Sequence, residues 1–246
     1  MSKIRHQSVA PTETRFLLPG DEVTPHVHDD NQVIYASSGV LEVFVESGTW
    51  YTPSVRAVWV PGGMMHHWQV HGVSTVHMIG IPTSFVQNLG HEPSLITVSP
   101  LVRELLIACS NQGKSKTPQA RRLLQVLGDQ LVASDHNSSM LPVFTDLRLV
   151  RLQEIVEAEM SRNLTLAALG REVGASERTL NRLFRLEAGM SFVTWRNQLR
   201  MHSATLRLAE GHNVTRVSNE SGFSSPSAFI TAFRAAFGRT PGSLYR

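Results

Sequence analysis

Three imidazoles and a short run of guanidinium and amide groups are the side chains of this sequence whose types and spacing could do chemistry. His26 and His28 are separated by one residue, and alternate residues of a β-strand point the same way, so both rings can converge on one interior point. His66, just after Pro61-Gly62-Gly63, can reach that point from a neighbouring strand. Three imidazoles can hold zinc or nickel, or serve as the polar wall of a pocket for an organic ligand or water. Gln32 lies close by in sequence; its amide is a weaker ligand for a divalent ion than a carboxylate and adds no fixed negative charge. His67 and His71 read as ordinary surface or pocket residues, with His67 an outside candidate for ligation. Much further along, Glu177, Arg178, Asn181, Arg182 and Arg185 fall outside the apolar stripe of one short helix. Arginine pairs bidentately with guanine and asparagine with adenine, so this helix face carries groups suited to reading base edges.

The elements that must position these groups differ between the two regions. Leu41, Val43 and Val45 alternate with Glu42, Phe44 and Glu46, and Val55, Ala57 and Trp59 with Arg56, Val58 and Val60, which is the period of a strand. Turns at Pro19-Gly20, Ser38-Gly39, Ser47-Gly48, Pro61-Gly62-Gly63 and His71-Gly72 imply a β-sandwich or barrel built from hairpins. Tyr35, Phe44, Trp59 and Trp68 are the candidate walls of an effector pocket, or equally members of an ordinary core. After Pro82 the strand pattern ends. Leu101 to Cys109 and Pro118 to Val132 show helical spacing, and the second is expected to form a dimer seam, the alternative being an intramolecular helical hairpin. The polar run Ser134 to Pro142 suits an interdomain linker, and Thr145 or Asp146 then caps a helix running through Met160.

The last third of the chain repeats itself. Ser176, Leu180, Phe184, Arg185 and Gly189 recur as Ser225, Phe229, Phe233, Arg234 and Gly238, each pair 49 positions apart. In the first copy Thr165 caps a short helix, Gly174-Ala175-Ser176 makes a turn, and Ser176 caps a second helix buried through Leu180, Leu183 and Phe184. In the second, Asn213 and Ser225 are the caps, Gly222-Phe223-Ser224 the turn, and Pro226 takes the first helical position, where a missing amide hydrogen costs nothing. Between them, Ser191 to Glu210 contains no Gly or Pro and reads as one continuous spacer helix. Two helix-turn-helix units on a rigid spacer suit DNA, because recognition helices reach successive major grooves on one face only when about 34 Å apart.

Ala175 to Phe184, Gly189-Met190-Ser191-Phe192, Gly222-Phe223-Ser224-Ser225 and Phe233 to Pro241 resemble the AraC/XylS family of bacterial transcriptional regulators over roughly the last third of the chain. The resemblance implies base-facing residues at Arg178, Asn181 and Arg182 on the first recognition helix, and at Pro226, Ser227, Ala228, Ile230 and Thr231 on the second. The second set offers only hydroxyls and small apolar groups. The first helix is therefore expected to supply most base specificity, and the second, with Arg234, to contact phosphate and thymine methyl groups. The front of the chain resembles a cupin: Gly20, His26, His28, Gln32 and the Pro61 to His66 segment occupy that family's positions. The departure is Gln32, where a metal-binding cupin often has Glu. Together these imply a two-domain α+β fold, a jelly-roll β-sandwich with trailing helices followed by an all-α double helix-turn-helix domain. The expected divisions are a sensor domain over 1–92, a helical dimerisation or linker segment over 93–142 and a DNA-binding domain over 143–246.

Composition fits this division. Residues 151–246 hold 13 arginines against 8 glutamates, whereas residues 1–150 hold 10 basic against 12 acidic groups, so the excess cation lies where DNA is expected. The one cysteine, Cys109, excludes an internal disulfide and reads as a small buried residue. The N-terminus lacks an apolar signal region, and no apolar run approaches the ~18 residues of a membrane helix, so a cytoplasmic protein is expected. The functional expectation is a transcriptional regulator that binds double-stranded DNA, pairs as a homodimer, and responds to a small-molecule or metal effector, contacting RNA polymerase if it activates. Two other readings are a regulator whose cupin serves only as a dimerisation platform, and a metal-dependent cupin enzyme with a DNA-binding tail. Catalysis ranks last, because the only carboxylates close to His26 are Asp29 and Asp30, on an expected loop.

Overall fold

The computed structural model describes residues 5–85, 89–113, 115–137 and 140–245. It divides into two compact units, one of residues 1–46 and 50–139, the other of residues 47–49 and 140–246.

The first unit is built on strands β1 (Arg5–Gln7), β2 (Glu13–Leu17), β3 (Glu22–His28), β4 (Asn31–Val45), β5 (Gly48–Thr52), β6 (Arg56–Val60), β7 (His66–Ile81), β8 (Ser94–Thr97) and β9 (His136–Asn137). The ladder runs β1-β3-β7-β4-β6-β8-β9, with β2 also on β7 and β5 on β4. Its spine is the antiparallel pair β4 and β7, in register from Asn31 opposite Ile81 to Val45 opposite His66, with irregularities around Ser38. Such interruptions bend and twist a long ribbon, which lets it serve both layers of a sandwich. Val43 lies opposite Trp68 and Leu41 opposite Val70, and all four side chains are buried.

Two helices, α1 (Pro100–Gln112) and α2 (Pro118–Ala133), cover the sheet from outside. Val102, Leu105, Leu106 and Cys109 of α1 and Leu127 and Leu131 of α2 share one core with Val33, Tyr35, Ala57, Trp59, Ile79, Ile81 and Ile96. β6 is consequently buried on both faces, and its run Ala57-Val58-Trp59-Val60 lacks polar alternation for that reason. Residues of the expected 93–142 segment, from Ile96 to Leu131, thus contribute to the first unit's core. β8 was not expected after Pro82: Ser94-Leu95-Ile96-Thr97 is too short to show a period, yet it pairs with β6 from Arg56 opposite Thr97 to Trp59 opposite Ser94. The expected linker also begins as structure, since β9 pairs with β8; Ser138 and Ser139 lie outside the described residues. Leu101, where the helical spacing begins, is 53% exposed, whereas Val102, Leu105 and Leu106 are buried.

The second unit contains α3 (Leu147–Ala158), α4 (Leu166–Glu172), α5 (Glu177–Leu183), a π-helical turn (Phe184–Ala188), α6 (Phe192–Ala209), α7 (Val214–Glu220), α8 (Pro226–Phe237) and α9 (Pro241–Leu244). Asp146, Thr165, Ser176, Ser191, Asn213 and Ser225 each cap a helix by accepting a backbone N–H with the side chain. Phe144, Phe184, Phe192 and Trp195 form an aromatic cluster beneath the first helix-turn-helix unit, with Phe184 5.5 Å from Phe144 and 5.3 Å from Trp195. Met201, Ala204 and Leu208 of the same spacer helix α6 join Val217, Phe229 and Phe233 beneath the second. One helix therefore supplies part of both cores, which fixes the spacing between the units.

Candidate effector and nucleic-acid sites

His26 sits opposite His66 in the β3–β7 ladder, and His28, two residues on, faces the same interior. All three rings are buried. The His26 and His66 rings are 4.3 Å apart and those of His28 and His66 4.8 Å apart; one ring nitrogen from each lies within 4.8 Å of the others. The backbone sets the ring orientations. Nδ1 of His26 lies 2.9 Å from the carbonyl of Thr24, that of His28 2.6 Å from Asp30, and that of His66 3.0 Å from Met64. A carbonyl only accepts, so each Nδ1 carries the hydrogen and each neutral ring turns an unprotonated Nε2 inward.

Gln32 completes the set from β4. Its Oε1 lies 3.2 Å from His28 Nε2 and 3.3 Å from His66 Nε2, while its own amide N–H donates to the carbonyl of Pro11 at 3.5 Å. Three ring lone pairs and an amide oxygen thus meet with no proton between them. Four acceptors facing one point repel unless a cation or a double proton donor sits among them, so the donor set fits a divalent ion of the zinc or nickel type. The loop before His66 is shaped for this approach: a Cβ on Gly62 would come within 2.1 Å of the Asp29 carbonyl, and Gly63 N–H donates to the His28 carbonyl at 2.8 Å.

Burial pushes the His66 imidazole down to about 3, with His26 and His28 as further depressing neighbours, and burial also lowers His26. The metal-free first unit should therefore be stable where both folded and unfolded histidines are neutral, above about pH 6.5, and lose stability as the pH falls toward 3. The unfolded chain binds more protons in that window, so the slope is positive, up to about 1.4 kcal/mol per pH unit for one such group. A urea-unfolding series between pH 7.5 and 4.5 with chelator present tests this; a flat profile would contradict the depressed His66 and His26.

The four expected pocket walls do not meet. Trp68 is on the His66 side of β7, but Phe44 pairs with His67 on the opposite side, the two rings stacked at 4.5 Å and 5°. That stacking also removes His67 as a ligand candidate. His71 pairs instead with the buried Glu42, at 2.7 Å. Tyr35 and Trp59 belong to the core under α1 and α2, where Tyr35 donates to the Ser54 carbonyl. Period-two alternation from Val43 to Val45 already places Phe44 on the other face.

In the second unit, the polar residues of α5 and α8 are displayed as the helix pattern requires. Glu177, Arg178, Arg182 and Arg185 are exposed and Asn181 half-buried, while Ser227, Ile230, Thr231 and Arg234 are exposed and Pro226 and Ala228 half-buried. None of Arg178, Arg182, Arg185 and Arg234 forms an ion pair with a described residue, whereas Arg148, Arg151, Arg162, Arg207 and Arg216 each engage a carboxylate. Guanidinium groups left unneutralised on two capped helices are what an anionic duplex requires. A glycine that sequence reasoning passed over shapes the first turn: a Cβ on Gly170 would come within 2.4 Å of the Ala175 carbonyl, so α4 and the turn approach closely only there.

Family comparison agrees with both halves. The model of the AraC-like ligand binding domain matches residues 15–145, and that of a helix-turn-helix domain matches residues 169–246. Over 229 residues the chain is 35% identical to the HTH-type transcriptional regulator NimR of Escherichia coli K12, covering 90% of this chain and 82% of that one. The chain belongs to the AraC family of transcriptional regulators. As an AraC-family regulator it carries a sheet-rich ligand-binding domain ahead of a helical DNA-binding domain. More distant similarity extends to the transcriptional activator RhaS of Salmonella schwarzengrund, 27% identical over 146 residues, 58% of this chain and 52% of that one. Among solved structures an apo ToxT variant from Vibrio cholerae aligns over 99% of this chain and 100% of its own, at 14% identity and a TM-score of 0.41. These AraC-family relatives are named as regulators of transcription, and no helix among the described residues is long and apolar enough to cross a membrane.

Proposed function

We propose that this AraC-family regulator is a cytoplasmic, non-enzymatic switch whose front domain holds a divalent ion of the zinc or nickel type through His26, His28 and His66, with Gln32 as an oxygen ligand. The observation that carries the proposal is the convergence of three imidazoles and the Gln32 amide oxygen on one buried point. Bound there, the ion supplies a fixed positive charge and a cross-link between β3, β4 and β7, and favours whichever arrangement of the chain keeps those strands in register. The DNA-binding domain extends from about residue 143. It reads bases through Arg178, Asn181 and Arg182 and anchors on phosphate and thymine methyl groups through Ser227, Ala228, Ile230, Thr231 and Arg234, with Glu177 and Arg185 flanking the first contact surface. The segment 93–142 presents the outer face of α2, where Val126 and Val132 are exposed, to a second copy in a homodimer. RNA polymerase is the further partner where the regulator activates.

Binding of genomic DNA fragments, measured by fluorescence anisotropy at two salt concentrations with and without added zinc, tests this reading. Arg178→Ala should reduce discrimination between the best fragment and its single-base variants by about 1–3 kcal/mol. Arg234→Ala should weaken all fragments alike and flatten the salt dependence. Equal, sequence-blind losses from both would reject the division of labour, and zinc-independent affinity would reject the switch.

A further inference from the structure

A second recess in the first unit lies between β7 and the α1–α2 hairpin, outside the histidine cluster. It holds about 350 Å³, and Val9, Ala10, Ile79, Pro82, Cys109 and Leu124 are among its apolar lining residues. That size lies at the lower end of cavities that hold small organic ligands. Ala120 stands at the start of α2, and Gln112 and Lys116 bring polar groups to the wall. Lys116 is exposed and forms no ion pair with a described residue.

One wall residue of the cleft, Asp30, and the segment from Val9 to Thr12, of which Val9, Ala10 and Thr12 line it, also support the histidine cluster. Asp30 lines the cleft, and its carbonyl receives Nδ1–H of His28 at 2.6 Å. The segment Val9 to Thr12 forms the other shared wall. It packs so closely on β7 that a Cβ on Gly80 would come within 2.6 Å of the Ala10 carbonyl, and Gly80 N–H donates to the Thr12 hydroxyl at 2.9 Å. Within that segment, the Pro11 carbonyl accepts the N–H of Gln32, whose other end faces His28 and His66. A molecule that moves either wall therefore moves a group that orients a donor of the cluster.

We infer that the cleft between β7 and the α1–α2 hairpin is a second ligand site, for a small, largely apolar organic acid whose anionic end pairs with Lys116, and that its occupancy is coupled to the histidine cluster through Asp30 and Pro11. The coupling rests on the cluster's holding a cation; the cleft site does not. Linkage requires the effect to be mutual: a ligand in the cleft changes cation affinity by the same factor as the cation changes ligand affinity.

The test uses the full chain and two fluorescent probes of similar apolar body, anionic 8-anilinonaphthalene-1-sulfonate and uncharged N-phenyl-1-naphthylamine. Ala120→Trp, which fills the cleft from the half-buried start of α2, should weaken both probes at least tenfold with helical circular dichroism unchanged. If that variant loses helicity, Ser115→Trp at the same wall serves instead. Lys116→Glu should weaken the anionic probe at least fivefold and leave the neutral one within twofold. Zinc titrated alone, and again with the anionic probe saturating, should give dissociation constants differing by fivefold or more, matched by the shift in probe affinity. Probe binding indifferent to both tryptophan variants overturns the site, equal response of both probes to Lys116→Glu overturns the acid, and superimposable zinc isotherms overturn the coupling. Intact probe binding in a protein that takes up no zinc would defeat the metal reading of the cluster and leave the cleft standing.

Discussion

Gly222→Ala is expected to cost at least twice the stability lost in Gly174→Ala, although both replace a glycine in the turn of a helix-turn-helix unit. Both have a positive φ, +73° and +66° respectively, where an L side chain costs roughly 1–2 kcal/mol. They differ in surroundings. Nothing lies within 4 Å of a Cβ placed on Gly174, but one on Gly222 would meet the Met160 carbonyl at 2.3 Å and the Arg200 guanidinium at 2.8 Å. Arg200 is buried on α6 and holds Asn163 Oδ1 at 2.7 Å, so it ties the spacer helix to the chain between α3 and α4. A methyl group at 222 must push the guanidinium aside and leave it short of its hydrogen-bond partner, a further loss of about 1–3 kcal/mol. Chemical unfolding of the two variants side by side decides the point. Equal losses would mean that the contact to Arg200 has no energetic weight and that only backbone conformation matters.

His66→Ala is expected to reduce zinc affinity by a factor of roughly one hundred to one thousand. Structural zinc sites bind with about 10–16 kcal/mol, and His66 is one of four donors, so its share is of the order of 3–4 kcal/mol. His66 lies close to both other rings and to Gln32, and its loss leaves two imidazoles that share one strand, with only the weak amide oxygen of Gln32 beside them. His67→Ala, which removes only a ring stacked on Phe44, should leave zinc affinity within twofold, and Gln32→Glu should raise it by supplying the missing negative charge. Titration calorimetry of the three variants separates these outcomes. Equal affinity in His66→Ala and the unaltered protein would place the metal elsewhere.

The two helix-turn-helix units were legible because their signals are local. Caps such as Thr165, Ser176, Asn213 and Ser225, and the Gly-initiated turns, express short-range hydrogen bonding and backbone preference, and all four caps form as expected. The histidine cluster was legible for a related reason: strand alternation brings His26 and His28 together, and only His66 needed a long-range pairing. The cleft was not legible. It is formed where Val9 and Ala10, the end of β7 and the start of α2 meet, residues far apart in sequence whose types are those of any core. Of the four aromatics read either as pocket walls or as core, Tyr35 and Trp59 lie in the core under α1 and α2; large apolar side chains report burial without reporting where the empty space lies.

The tail of α5, the second helix of the first helix-turn-helix unit, is tethered. Glu187, in the π-helical turn that extends α5, accepts the backbone N–H of Thr145 at 2.7 Å and that of Asp146 at 3.1 Å, so the carboxylate clips the chain at the point where it enters α3. A displacement of the backbone at 145 and 146 is therefore felt at the far end of the helix that carries Arg178 and Arg182, alongside the contact of Phe144 with Phe184.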